Sequence, residues 1–271
     1  VSLCRGQVND ARTYAREALQ AAQDFGDPTF VKEAHYYLAY LERLSGNFAA
    51  ALPEAELACQ DYFQEGPPGV RPLQLKALIL LDLDRMDEFL KLAADLKAFI
   101  QKIGYPKLMR AHDYLLGQRE MKLKNWEGAV SHFWKAASLL PSDYANQGWD
   151  ADPAQYWYAL AEAYDRAGAC PAAQNMFERI SPLWDQRPGC GDLYVRSFYR
   201  IAKLQESCGK HPMMTGRESQ TEKVLAMKNY QKFLSLWKDA DPLFAAEVED
   251  ATRRLEALQA ELAPAKSLPE R

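Results

Sequence analysis

The chain has 271 residues, of which 48% are hydrophobic and 26% charged, and its formal net charge is −4. That mixture excludes a disordered or low-complexity chain. A weakly acidic sequence without a Lys/Arg run lacks the charge that phosphate backbones and anionic lipid surfaces select, so no nucleic-acid and no membrane partner is expected.

No apolar run approaches the roughly 18 residues of a membrane span. The longest, around Leu78–Leu81, is broken at Asp82. The opening Val1-Ser-Leu-Cys-Arg lacks the basic region and apolar core of a secretory signal. Cys4, Cys59, Cys170, Cys190 and Cys208 are odd in number, widely spaced and contain no CxxC, which predicts reduced thiols and a cytoplasmic setting.

One phrase recurs along the chain: a helical stretch ends in Gly, then come a polar residue, a bulky residue and, two further on, Ala. It begins at Gly6 and reaches Ala11. The next copy runs from Gly46 to Ala51, and a degraded one from Asp84 to Phe89. At Lys124-Asn-Trp-Glu-Gly-Ala129 a lysine replaces the glycine, and Gly168 to Ala173 gives the fifth copy. The anchors 11, 51, 89, 129 and 173 lie 38 to 44 residues apart. A fixed period of this size predicts stacked helix pairs. Asp27-Pro28, Asp152-Pro153 and Asp241-Pro242 each put an N-cap acid before a proline at the first helical position. Alternating β-branched runs and an Asn-Gly hairpin signal are absent.

The positions around these anchors resemble the tetratricopeptide repeat. Residues 111–141 carry Leu116, Gly117, Ala129, Phe133, Ala136 and Pro141 at the family's offsets. Residues 154–180 carry Trp157, Leu160, Ala161, Tyr164, Ala173 and Phe177, and residues 32–58 carry Leu38, Ala39, Ala51 and Ala58. A fourth copy starts at Ile201-Ala202 and Gly209 and resumes at Ala226, Tyr230 and Phe233; the copy at 72–100 is faint. Small residues let antiparallel helices approach, and large ones fill the space beside them. The resemblance implies an all-α, right-handed superhelix of antiparallel helix pairs. The expected domain is a single array over 1–262 with about five to six pairs, a capping helix at 243–262 and a flexible tail at 263–271. The first copy has only its second helix, so its first helix is expected upstream of Val1. The longer period and the phrase from Tyr230 to Pro242 are similar to repeat arrays in large bacterial signalling ATPases, kinases and transcriptional activators.

In such arrays the first helices line a concave face. The position two before the repeat leucine is Tyr36, Tyr114, Tyr158 and Tyr199, with Gln74 in the faint copy. Two after it come Tyr40, Gln118, Glu162 and Lys203. Tyrosine gives wide apolar contact at low entropic cost, so this ladder, with Arg196 beside it, is the expected site for a protein or peptide segment, unless the tyrosines pack between repeats. The family's carboxylate clamp needs Lys and Asn at these positions, and this chain departs from it. Groove charge is mixed: Arg43, Lys122, Arg166, Arg196 and Lys203 face Glu33, Glu162, Asp165 and Glu206. The loops at 141–153, with Tyr144 and Trp149, and at 210–221 form a second candidate surface.

Enzyme chemistry finds no foothold. There is no HExxH, no Gly-rich phosphate loop and no GxSxG, and Cys208 with His211 would give only two metal ligands. The sequence therefore predicts a protein-interaction scaffold without catalysis, cofactor or metal. A small-molecule-sensing regulatory domain is the alternative, to be favoured by a closed pocket beneath the concave face. Self-association stays open.

Overall fold

The computed structural model describes residues 1–60, 66–140, 153–183, 191–208 and 215–262. Twelve α-helices and no strand occur among them. They are α1 (Val8–Phe25), α2 (Pro28–Leu44), α3 (Phe48–Ala58), α4 (Val70–Asp82), α5 (Met86–Ile103), α6 (Met109–Lys122), α7 (Trp126–Ser138), α8 (Pro153–Arg166), α9 (Cys170–Glu178), α10 (Gly191–Cys208), α11 (Gly216–Leu236) and α12 (Ala245–Leu262). The loop residues Tyr144 and Trp149, the tail 263–271, Cys190, His211 and part of 210–221 lie outside the described residues.

Helices pack on their neighbours in sequence: α2 on α3, α4 on α5, α6 on α7, α8 on α9 and α10 on α11. The chain is an all-α array of helix pairs. The small repeat positions Ala39, Ala161 and Ala202 on the first helices, and Ala51, Ala129, Ala173 and Ala226 on the second, are fully buried. Gly117 permits the closest approach: a Cβ there would stand 2.4 Å from the Phe133 ring. Phe89, Phe133, Phe177 and Phe233 fill the gaps beside them. Leu115, and not the expected Leu116, is the fully buried leucine of α6.

The recurring phrase has a backbone cause. Its first residue is left-handed at every described turn within a pair: Gly6 (φ 70°), Gly46 (76°), Asp84 (59°), Lys124 (58°) and Gly168 (78°). The following N–H reaches back five residues each time, from Gln7 to Ser2, Asn47 to Glu42, Arg85 to Leu80, Asn125 to Glu120 and Ala169 to Tyr164, at 2.8 to 2.9 Å. These are Schellman stops, which satisfy the last carbonyls of a helix and turn the chain sharply. The period read from the sequence is therefore the period of these stops, and the faint copy at 72–100 forms a regular pair because Asp84 adopts the same turn.

The array closes on itself. The 3-10 turn Leu3–Arg5 packs on α10. Asp241 N–H donates to the Gly6 carbonyl at 2.9 Å, and the Asp241 carboxylate accepts from Asn9 N–H at 2.8 Å. Asp27 caps its own helix as expected, accepting from Thr29 and Phe30 N–H. Asp241 does not cap the turn that follows it; it caps α1, 232 residues away in sequence. Val8 and Leu41 from the start of the chain share one apolar core with Trp157, Tyr199, Phe233 and Phe244.

Candidate functional site

Closure brings the first helix of all five pairs around one small centre. Tyr36 and Tyr40 from α2, Arg71 and Gln74 from α4, Tyr114 from α6, Gln155 from α8, and Asp192 and Arg196 from α10 line a cavity of about 160 Å³. Of the expected concave ladder, Tyr36, Tyr40, Tyr114 and Arg196 line this centre; Gln118, Tyr158, Glu162, Tyr199 and Lys203 do not. Among the described residues this cavity, at about 160 Å³, is smaller than an extended peptide segment needs.

Most of the ladder is engaged within the chain. Tyr36 lies under the Arg71 guanidinium, 4.1 Å from ring centroid to carbon, and edge-on to Tyr37 at 5.5 Å. The Tyr40 hydroxyl donates to Asp192 Oδ1 at 2.9 Å. Tyr114 is buried against Phe133 and Tyr156, with centroids 5.5 and 5.2 Å away. Tyr158 packs edge-on to Phe177 at 5.1 Å. Gln118 is half-buried on α6. The Tyr199 hydroxyl donates to Asp250 Oδ2 at 2.7 Å and receives a bond from Lys203 Nζ at 3.3 Å.

The charges of the inner face pair internally as well. Arg43 meets Asp82 at 2.6 Å, and Arg200 meets Asp165 at 2.9 Å and Glu162 at 3.8 Å. Arg196 lies 3.1 Å from Glu247 and 3.8 Å from Asp192. Arg254 joins Glu206 at 2.9 Å and Asp250 at 2.7 Å. Glu247, Asp250 and Arg254 all come from α12, which so acts as more than a polar cap: it neutralises the end of the inner face. Sequence reading missed these three because solvated helix faces carry the same residue types.

Protonation follows from this packing. Burial raises the Asp192 carboxyl above its ordinary range, with Arg196 and the Tyr40 hydroxyl opposing. Burial also raises Tyr158, and Glu162 adds to the shift. Lost hydration raises the Glu162 carboxyl as well, with Arg200 opposing, although the side chain keeps 37% of its surface accessible. Asp250 ends below the usual range, because the bonds from Tyr199 and Arg254 outweigh its burial. Among the described residues no three His, Cys, Asp or Glu side chains gather as a metal-binding group.

A second concavity lies outside the ring. Between α1 and α2 runs a groove of about 840 Å³, lined chiefly by Ala11, Ala15, Ala18 and Ala22 on one wall and Phe30, Ala34 and Tyr37 on the other. Tyr14 and Phe25 stand on α1, exposed by 61% and 88%. The spacing Ala11, Ala15, Ala18, Ala22 with Tyr14, Ala21 and Phe25 is an apolar helical stripe that could have been read from sequence.

No protein-family model matches the chain. Superkiller protein 3 of Schizosaccharomyces pombe is 30% identical over 118 residues, which is 44% of this chain and 7% of that protein. The crystal structure of BtubC (BKLC) from P. vanneervenii superposes over 97% of this chain and 95% of that one with a TM-score of 0.46 and 17% identity. No helix among the described residues is long and apolar enough to cross a membrane.

Proposed function

We propose that the chain is a tetratricopeptide-type interaction module that binds and does not catalyse, and that its partner site is the groove between α1 and α2, not the closed centre. The observation that carries this reading is the nearly unbroken apolar lining of that groove beside an 88% exposed Phe25. A concave apolar groove open to solvent is a candidate interaction surface. The fitting partner is an amphipathic helix. Within the array a first helix lies against its own second helix and against the next first helix, as α4 does with α5 and α6. The α1–α2 groove offers that same pair of walls, α1 being a second helix by its turn at Gly6. Alanines on the α1 wall call for bulky side chains on the partner, and Asp27 and Glu33 at the rim favour flanking Lys or Arg.

The test is fluorescence anisotropy with a labelled synthetic helix of leucine-rich face and lysine flanks. Ala18→Glu places a charge on the wall of the groove, at an exposed position where no core is lost. It should weaken binding by about tenfold or more, since one buried unpaired charge costs more than 1.4 kcal/mol, and leave the melting temperature unchanged. Equal affinity in both proteins would remove the groove from the reading. If the groove is instead covered by a second copy, wild type will dimerise with rising concentration and the variant will not.

A further inference from the structure

We infer that the central cavity is a binding site for a small oxyanion-bearing molecule, a carboxylate or a phosphate, held by Arg71 and Gln74. Two observations converge on α4. Arg71 has its guanidinium over Tyr36 and beside Tyr37, and no described carboxylate pairs with it. Arg71 also hydrogen-bonds to Tyr36 and Tyr37, and a guanidinium carries five N–H donors, so these two bonds leave others for a ligand. One turn along the same helix, Gln74 is 4% exposed and its Nε2 has no hydrogen-bond partner. Both side chains line the cavity.

A buried amide donor left without an acceptor is costly, and such groups in folded proteins call for an explanation. An acceptor seated in the cavity supplies one. A guanidinium edge beside an amide N–H is the donor pair that planar, bidentate recognition of carboxylate or phosphate uses. The cavity's other charges agree in sign. Its lining holds Arg43, Arg71 and Arg196 and the single acid Asp192; Arg43 pairs with Asp82, and Arg196 with Glu247 and Asp192, so Arg71 is the lining arginine that no described carboxylate neutralises. A volume of about 160 Å³ is the share of about five liquid waters, so the ligand is a small acid or the anionic group of one. It is too small for a peptide segment.

This site shares only Tyr40 with the α1–α2 groove, and its failure would leave that reading untouched. Gln74 stands at the one ladder position where the other pairs carry tyrosine, so the faint second pair is where the array departs from its own pattern and gains a donor.

The experiment is thermal unfolding of the full chain in an oxyanion-free buffer, titrated with inorganic phosphate and, separately, with succinate, against sodium chloride at matched ionic strength. A saturable rise in melting temperature with phosphate or succinate and none with chloride is the expected result; which of the two acts identifies the anionic group. Gln74→Met removes an unpartnered amide, so the ligand-free protein should melt at the same or a higher temperature while ligand affinity falls at least about tenfold, the loss expected for one charge-assisted bond. Arg71→Gln should weaken binding similarly. No saturable shift with either anion, an equal shift with chloride, or an unchanged affinity in Gln74→Met would each overturn the assignment.

Discussion

Closure of the array rests on Gly6, and one substitution there separates closure from ordinary turn strain. Gly6 has φ 70°, and a Cβ added to it would meet Ala240 Cβ at 2.6 Å, Ala240 Cα at 3.2 Å and Phe244 Cδ2 at 3.2 Å. Gly6→Ala therefore costs about 1 kcal/mol for a left-handed alanine and a further 1–3 kcal/mol or so for overpacking against the far end of the chain. Gly46 is the matched control. It makes the same turn at φ 76° but a Cβ there would meet nothing within 4 Å, so Gly46→Ala should cost only the first of these, about 1 kcal/mol. Urea unfolding followed by far-ultraviolet circular dichroism measures both, and small-angle scattering should register expansion only for Gly6→Ala. If the two variants lose the same stability to within about 0.5 kcal/mol, the measured scatter of additivity, the contact that closes the ring is absent in solution and the central cavity with it.

Lys124 occupies a left-handed turn position that suits glycine, at φ 58°; Lys124→Gly should stabilise the chain by about 0.5–1 kcal/mol once the greater unfolded-state freedom of glycine is subtracted, and a lower melting temperature would contradict the strain. Because the folded chain holds the Asp192 proton more tightly than the unfolded chain does, the stability that Asp192 contributes is full below the ordinary value of 3.8 and declines as pH rises from there through the raised folded value. Asp192→Asn, which still offers Tyr40 an acceptor, should flatten that decline, and parallel stability–pH curves for the two proteins would refute it. Burial pushes the Cys59 thiol up to about 12, so iodoacetamide near neutral pH should leave it unmodified in the folded chain and label it after urea; equal rates in both states would count against its burial.

How much of this was legible depends on the range of the physics involved. Pairing and phase were readable because they are local: a Schellman stop needs a residue that tolerates the left-handed region, and a close helix contact needs Ala or Gly opposite a large ring. Those demands recur every 38 to 44 residues and leave the anchors Ala11, Ala51, Ala129 and Ala173 in the sequence. Even the faint second pair was located, by Asp84. Of the expected ladder, Tyr36, Tyr40, Tyr114 and Arg196 line the central cavity, whereas Tyr158 and Tyr199 are spent on packing and hydrogen bonds within the chain.

The helices, their pairing and their stops were thus set by local sequence. Whether the array forms an open trough or a closed centre was decided only by tertiary structure. Each pair adds a small rotation to the last, and no single residue encodes the sum. Asp241 carries the lesson: in sequence it reads as the cap of the helix that follows it, and in the fold it binds Gly6 and Asn9 from the other end of the chain. The same closure leaves Arg71 and the unpartnered Gln74 amide lining a small cavity where sequence reading placed a peptide groove.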